Sequence, residues 1–224
     1  MNRIDELYSK KKSDILSVYF TAGFPKLNDT VKILKSLEQN GVDMVELGMP
    51  FSDPMADGPV IQASSECALR KGTTLRMILN LVKRVRKKTE LPILLMGYYN
   101  PFFTFGLAQF ADEAKNAGVD GVLVVDLPPE EAGAMKTETD RTGLDLIFLL
   151  APTSDTTRIK RIAKIASGFI YYVSLTGVTG MRSQLDRDIR KQVEKIKKIA
   201  SIPIGVGFGI STPRQAQMIA KWAD

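Results

Sequence analysis

Glu46 and Asp57 are the two side chains on which acid–base chemistry can be built. Glu46 comes at the end of an apolar run. The chain then enters Gly48-Met49-Pro50-Phe51-Ser52-Asp53-Pro54-Met55-Ala56-Asp57-Gly58-Pro59. Pro50, Pro54 and Pro59 lack the backbone donor that a helix interior or an inner strand needs, so this loop must be held by the rest of the fold. A glutamate buried without a partner is costly or takes a raised pKa, and a carboxyl shifted toward neutrality serves as a general acid or base. A purely structural glutamate, held by backbone donors or an ion pair, fits the same position. Asp57, before Gly58, and Asp53 also read as ordinary turn residues.

The sequence has no histidine, which removes imidazole shuttles, histidine-dependent triads and most zinc sites. Proton transfer falls to carboxylates, lysine, tyrosine or Cys67. As the single cysteine, Cys67 has no internal disulfide partner, in keeping with a reducing compartment.

The elements around these residues repeat. Apolar runs at 15–21, 44–48, 93–96, 122–126, 146–150, 169–174 and 204–206 read as buried strands. Continuous apolar runs, rather than strict alternation, predict parallel strands covered on both faces. Helical patterns lie between them. Asn28-Asp29-Thr30 is expected to cap the helix of Val31, Leu34 and Leu37, with Gly41 as its stop. Ser154-Asp155 and Ser211-Thr212-Pro213 read as further caps. The stretch 59–88 is too long for one crossover helix, and is expected to hold a short helix over 60–71 and then a longer one. Asn40-Gly41-Val42-Asp43 and Ala117-Gly118-Val119-Asp120 each pair a helix-ending glycine with a strand entry. The pattern predicts an α/β protein, a (β/α)8 TIM barrel as one domain over 1–224, with the eighth strand and helix missing. That strand would begin at Trp222-Ala223-Asp224.

A hydrophobic fraction of 44% suits a globular core. No apolar stretch reaches the length of a membrane span, and the N-terminus has no signal-peptide pattern, so a cytoplasmic setting is expected. The formal charge of +6 raises the question of nucleic acid. Its densest basic run, Lys83-Arg84-Val85-Arg86-Lys87-Lys88, reads instead as a solvated helix end favoured by the helix dipole. No aromatic residues interleave with it, as a single-strand-binding surface would need.

Four segments carry a family resemblance: 45–59, Leu123-Val124-Val125-Asp126-Leu127-Pro128-Pro129-Glu130-Glu131, Tyr171-Tyr172-Val173-Ser174 with Gly177-Val178-Thr179-Gly180, and Gly205-Val206-Gly207-Phe208-Gly209-Ile210-Ser211. In order and spacing they resemble the alpha subunit of tryptophan synthase, over the whole chain. The resemblance implies retro-aldol cleavage of indole-3-glycerol phosphate to indole and glyceraldehyde 3-phosphate, in tryptophan biosynthesis. Its catalytic carboxylates fall on Glu46 and Asp57. Its substrate-binding positions fall on Tyr19, Ile61, Met96, Tyr98, Leu123, Leu149 and Tyr171, and its phosphate contacts on Thr179, Gly180, Gly207, Phe208 and Gly209. The apolar members of this set equally suit a barrel core. Asp53 and Pro54 fall at the interface with a beta subunit, in an alpha2-beta2 tetramer. No metal and no cofactor is expected for this chain, since the family's pyridoxal phosphate belongs to the beta subunit. Two rivals stay open: a stand-alone lyase releasing free indole, and a non-catalytic module that activates a beta-type subunit.

Overall fold

The structure, a computed structural model, describes residues 2–173, 182–207, 210 and 212–224, with only the backbone for 182–188. Among these lie seven strands and ten helices, with helices between successive strands and two of them in each of the connections β2–β3 and β3–β4. The chain divides into two compact units, Met1–Leu7 with Leu16–Leu146, and Tyr8–Ile15 with Ile147–Asp224.

The first unit carries β1 (Ser17–Thr21), β2 (Met44–Gly48), β3 (Ile93–Gly97) and β4 (Gly121–Val124), each parallel to the next. Register partners in a parallel sheet share a face. Tyr19, Glu46, Leu94 and Gly121 therefore form one row, and Thr21, Gly48, Met96 and Leu123 the row above it. The alternate positions Val45, Leu47, Ile93, Leu95 and Val122 are fully buried too, as expected of strands covered on both faces. The second unit carries the parallel strands β5 (Asp145–Leu150, straddling the unit boundary), β6 (Ile170–Val173) and β7 (Ile204–Gly207).

Strand entries follow one local rule. Asp43, just before β2, accepts the Leu16 N–H at 2.8 Å, and Asp120, just before β4, accepts the Ile93 N–H at 2.9 Å. Asp224 accepts the Ile204 N–H at 2.9 Å in the same manner. Its backbone also donates to the Ile204 carbonyl at 3.0 Å and accepts from Ile15 at 3.1 Å. Asp224 thus occupies a strand-entry position.

The helices depart from expectation in several places. Arg3–Lys10 forms α1, which the hydrophobic pattern did not signal. α2 (Leu27–Gln39) begins before its expected cap: Lys26 is the N-cap, and no side chain closes it. Thr30 instead lies in the first turn and accepts the Gly23 N–H at 3.1 Å, a tertiary bond that no local pattern encodes. The stretch 59–88 does hold two helices, α3 (Pro59–Arg70) and α4 (Leu75–Val85), but the second is the shorter. Thr74 stops it early at its N-terminus by capping the Met77 N–H. α5 (Tyr99–Phe105) and α6 (Leu107–Ala117) join β3 to β4, and α7 (Gly133–Thr142) precedes β5. α8 (Thr156–Ile165) is capped by Asp155 as expected. α9 spans Arg182–Lys197, and α10 (Pro213–Ile219) opens with a Thr212 capping box.

The basic run is also only partly a solvated helix end. α4 stops at Val85, and the Arg86 side chain is only 10% exposed. Its guanidinium donates to the carbonyls of Gly118, Thr89 and Leu91 and to the Asp120 carboxylate at 2.9 Å. The fork of five donors lets an arginine be buried where a lysine would leave acceptors unmet. Arg3 of α1 also reaches Asp120, at 3.2 Å.

Candidate active site

Glu46 lies within β2, buried, on the row that also carries Tyr19. Gly48, one row further, makes room for the Tyr19 ring: a Cβ there would come within 2.2 Å of the Tyr19 hydroxyl. The same device recurs in the second unit. A Cβ on Gly207 of β7 would come within 1.9 Å of the Tyr171 hydroxyl, and the register partner of Tyr171 is Gly205. In the first unit the residue facing the tyrosine is Glu46.

Asp57 is half-buried on the loop after β2. Three contacts hold this loop. Tyr98, the residue after β3, packs its ring 5.1 Å from that of Phe51. Its hydroxyl accepts the Ala56 N–H at 2.9 Å. Gln62 in the first turns of α3 donates to the Asp57 carbonyl at 2.8 Å. With its oxygen taken by Ala56, Tyr98 keeps its proton for the Asp57 carboxylate, which lies in hydrogen-bonding reach. Burial raises the Asp57 pKa above the ordinary 3.8, and the Tyr98 contact works against that rise.

Tyr19 brings the two carboxylates together. Burial pushes its pKa up to about 12, a bond to Thr21 opposes the shift, and the negative fields of Asp57 and Glu46 add to it. The phenol is therefore neutral at physiological pH. Tyr19, Glu46, Asp57 and Tyr98 form one constellation in the first unit, two carboxylates among phenols. Its members can accept, hold and donate protons without imidazole or metal. Among the described residues, no group of acidic or cysteine side chains has the spacing to hold a metal ion.

Of the other expected positions in this unit, Met96 and Leu123 share the Gly48 row and are buried, and Ile61 is half-buried in the first turn of α3. In the second unit, Leu149 is half-buried on β5, Tyr171 is buried on β6 and Gly207 ends β7. Thr179, Gly180, Phe208 and Gly209 lie outside the described residues. Asp53 is exposed. Pro54 lines a groove of about 480 Å³ with Phe51, Ser52, Pro59, Gln62, Ala63, Glu66 and Leu69. Thr21 and Ser64 were not among the expected site residues. A hydroxyl at a strand end and another on a helix carry no signal of their own, and only the packing of α3 on β1 joins them, at 2.6 Å.

No helix among the described residues is long and apolar enough to cross a membrane. The family model described as tryptophan synthase alpha chain matches residues 6–224. The chain is 56% identical over 227 residues to the tryptophan synthase alpha chain of Geotalea daltonii, covering 100% of this chain and 86% of that one. A crystal structure of tryptophan synthase subunit alpha from Legionella pneumophila superposes with a TM-score of 0.93 at 41% identity, covering 100% of this chain and 84% of that one. A structure of the tryptophan synthase a2b2 complex from Pyrococcus furiosus matches with a TM-score of 0.88 at 38% identity, over 94% of this chain and 85% of that one. The parallel strand–helix alternation is accordingly that of a TIM barrel, seven strands of which lie among the described residues. With a family model spanning nearly the whole chain and relatives above half identity, the chain belongs to the tryptophan synthase alpha chain family.

Proposed function

We propose that this chain, as a single barrel domain in the cytoplasm, cleaves indole-3-glycerol phosphate to indole and glyceraldehyde 3-phosphate. The observation that carries the reading is that Glu46, beside Tyr19 in one row of the sheet, and Asp57, on the loop after β2, both act by their charge on the Tyr19 phenol, in a chain of this family. The reaction needs little more. Glu46, protonated, delivers its proton to carbon 3 of the indole, and the ring nitrogen becomes cationic. The bond from carbon 3 to the hydroxyl-bearing side-chain carbon then breaks. Its electron pair flows into the ring and restores neutral, aromatic indole. The side-chain hydroxyl gives its proton to the Glu46 carboxylate and becomes the aldehyde carbonyl. Glu46 ends as it began, protonated, so one carboxyl serves as acid and then as base. Asp57 accepts a hydrogen bond from the indole N–H and stabilises the charge that develops there. Tyr98 supports Asp57 in its anionic form by donating to it.

Tyr19, Ile61, Met96, Leu123, Leu149 and Tyr171 serve in this reading as the walls around the indole. The segments of Thr179-Gly180 and Gly207-Phe208-Gly209 serve the phosphate, through backbone N–H groups after late strands. The partner is a beta-type subunit. Met55 and Val60 are 86% and 81% exposed on the loop and helix that form the 480 Å³ groove, and exposed apolar groups around a groove suit a partner surface. Asp53 and Pro54 belong to that surface. The test is steady-state indole release from indole-3-glycerol phosphate, with and without a beta subunit. Turnover that rises on adding the subunit is expected. Turnover indifferent to the subunit leaves a stand-alone lyase. No turnover, with activation of the subunit retained, leaves a binding module.

A further inference from the structure

Asp126 follows β4 in a turn that the Leu127 N–H closes on the Val124 carbonyl at 3.4 Å. Pro128 and Pro129 come next, each with its φ fixed by the ring. From this turn the Asp126 carboxylate reaches the connection after β3, where it accepts the Tyr99 N–H at 2.7 Å. Tyr99 is the first residue of α5. A helix start leaves its first N–H groups without partners, and the N-cap of α5, Tyr98, makes no side-chain capping bond. Asp126 supplies the cap from a different connection, and its negative charge suits the positive end of the helix.

Tyr98 is thereby held on both sides. The residue before it, Gly97, accepts the Val125 N–H at 2.8 Å, and the residue after it donates to Asp126. Two consecutive residues of the β4 turn thus grip the backbone that carries the Tyr98 ring. That ring is buried, and its hydroxyl accepts the N–H of Ala56, the residue before Asp57, at 2.9 Å. A phenol is stiff, so a shift at its base is passed on to its hydroxyl. Two hydrogen bonds therefore lead from Asp126 to the loop of Asp57, one at the start of α5 and one at the tip of Tyr98.

We propose that Asp126 is a positioning residue for the acid–base site: by capping α5 it fixes the seat of Tyr98, and through the Tyr98 hydroxyl it holds the loop that carries Asp57. This rests on reading Asp57 as a member of that site. Asp126 touches neither Asp57 nor Glu46 in this account and acts only through Tyr98.

Two variants separate the cap from the charge. Asp126→Ala removes the acceptor of the Tyr99 N–H, whereas Asp126→Asn removes the charge and keeps an acceptor oxygen. Asp126 is exposed, so neither change leaves a cavity in the core. The first readout is hydrogen exchange of the Ala56 amide in the full chain, with Tyr98→Phe as the reference for a lost clamp. Asp126→Ala should speed that exchange by roughly fivefold, the worth of one ordinary hydrogen bond, and Asp126→Asn should stay near the parent. Ala56 exchange unchanged in Asp126→Ala overturns the proposal. So does equal acceleration in both variants, or acceleration that extends over the amides of β2 and β3, which marks a general loss of stability. The second readout is indole release. Asp126→Ala should slow kcat by roughly fivefold, and in a Tyr98→Phe background it should add little to the loss already present. An equal further loss in that background overturns the route through Tyr98. Exchange is read whether or not the chain turns over substrate, so failure of the lyase reading shows separately, as no indole release from the parent.

Discussion

Just before β4, the carboxylate of Asp120 is met by two guanidinium groups, Arg86 at 2.9 Å and Arg3 at 3.2 Å, and by the Ile93 N–H at 2.9 Å. On the loop that follows β2, the carboxyl of Asp57 is met by a phenol, and burial raises its pKa. These are two aspartates of one compact unit in opposite settings. Asp120 is 2% exposed, and the Arg86 guanidinium beside it also satisfies the carbonyls of Gly118, Thr89 and Leu91. Such a carboxylate, bridged by cations, works as a joint between α1, α4 and the strand ends. Asp57 is held by neutral donors, so both of its protonation states stay within reach. A buried acid becomes useful for chemistry when the groups that satisfy it do not also neutralise it.

Substitutions on each side of this contrast should break different things. The largest effect is expected at the site: Glu46→Gln keeps the shape and loses the transferable proton. Indole release should fall by about 10²–10⁴-fold, the usual worth of a positioned acid–base group, with thermal unfolding near that of the parent. A loss of less than about tenfold, or 1.4 kcal/mol, would move the acid–base role elsewhere. At the joint, Asp120→Ala should cost about 3–5 kcal/mol of folding stability, because Arg86 is left buried with its charge unmatched. Denaturant melts read this directly. A midpoint close to that of the parent would show that water reaches the guanidinium and that the joint is not dry.

Tyr98→Phe sharpens the contrast from within the site. It removes the acceptor of the Ala56 N–H and the donor to Asp57 while keeping the ring against Phe51. Loss of about 1 kcal/mol of interaction predicts roughly fivefold slower cleavage. Equal loss of folding stability with unchanged cleavage would make Tyr98 a structural clamp only. The smallest effect is the pH dependence of stability at Asp57. Its folded pKa is raised above the unfolded 3.8, so the folded state holds that proton more tightly. The favourable contribution is present below 3.8 and is lost as pH rises through the raised value. Asp57→Asn removes the titration. The variant should therefore gain stability relative to the parent at neutral pH and show no such gain in acid, as read by paired thermal melts.

Much of this was legible in the residues. Glu46 at the close of an apolar run, and Asp57 in a loop that proline keeps out of regular structure, mark themselves by type and position. The strands are legible because burial on both faces demands continuous apolar runs. The entries Val42-Asp43 and Val119-Asp120 announce a repeated unit, and Ala223-Asp224 takes up the same bond to the preceding strand. Other features were misread for a common reason. Thr30 looked like a cap and bonds Gly23 instead. Arg86 looked like one of a row of solvated cations and is the buried partner of Asp120. In each case the side chain's partner lies outside its own local segment, and local pattern does not reach that far.

Sequence by itself determined the period of the strands, the stops of the helices and the chemical inventory: carboxylates, phenols and hydroxyls, with no imidazole. Those follow from backbone geometry, from the partition of apolar side chains away from water and from composition, all of which act locally. Tertiary structure alone decided which acid was paired with arginine and which with tyrosine. It also decided that a tyrosine on β1 would lie over Gly48 beside Glu46, and that a threonine on β1 would meet a serine on α3. Hydrogen bonds and ion pairs fall off within a few ångströms, so the partners that set a carboxyl's proton affinity exist only once packing has brought distant segments into contact.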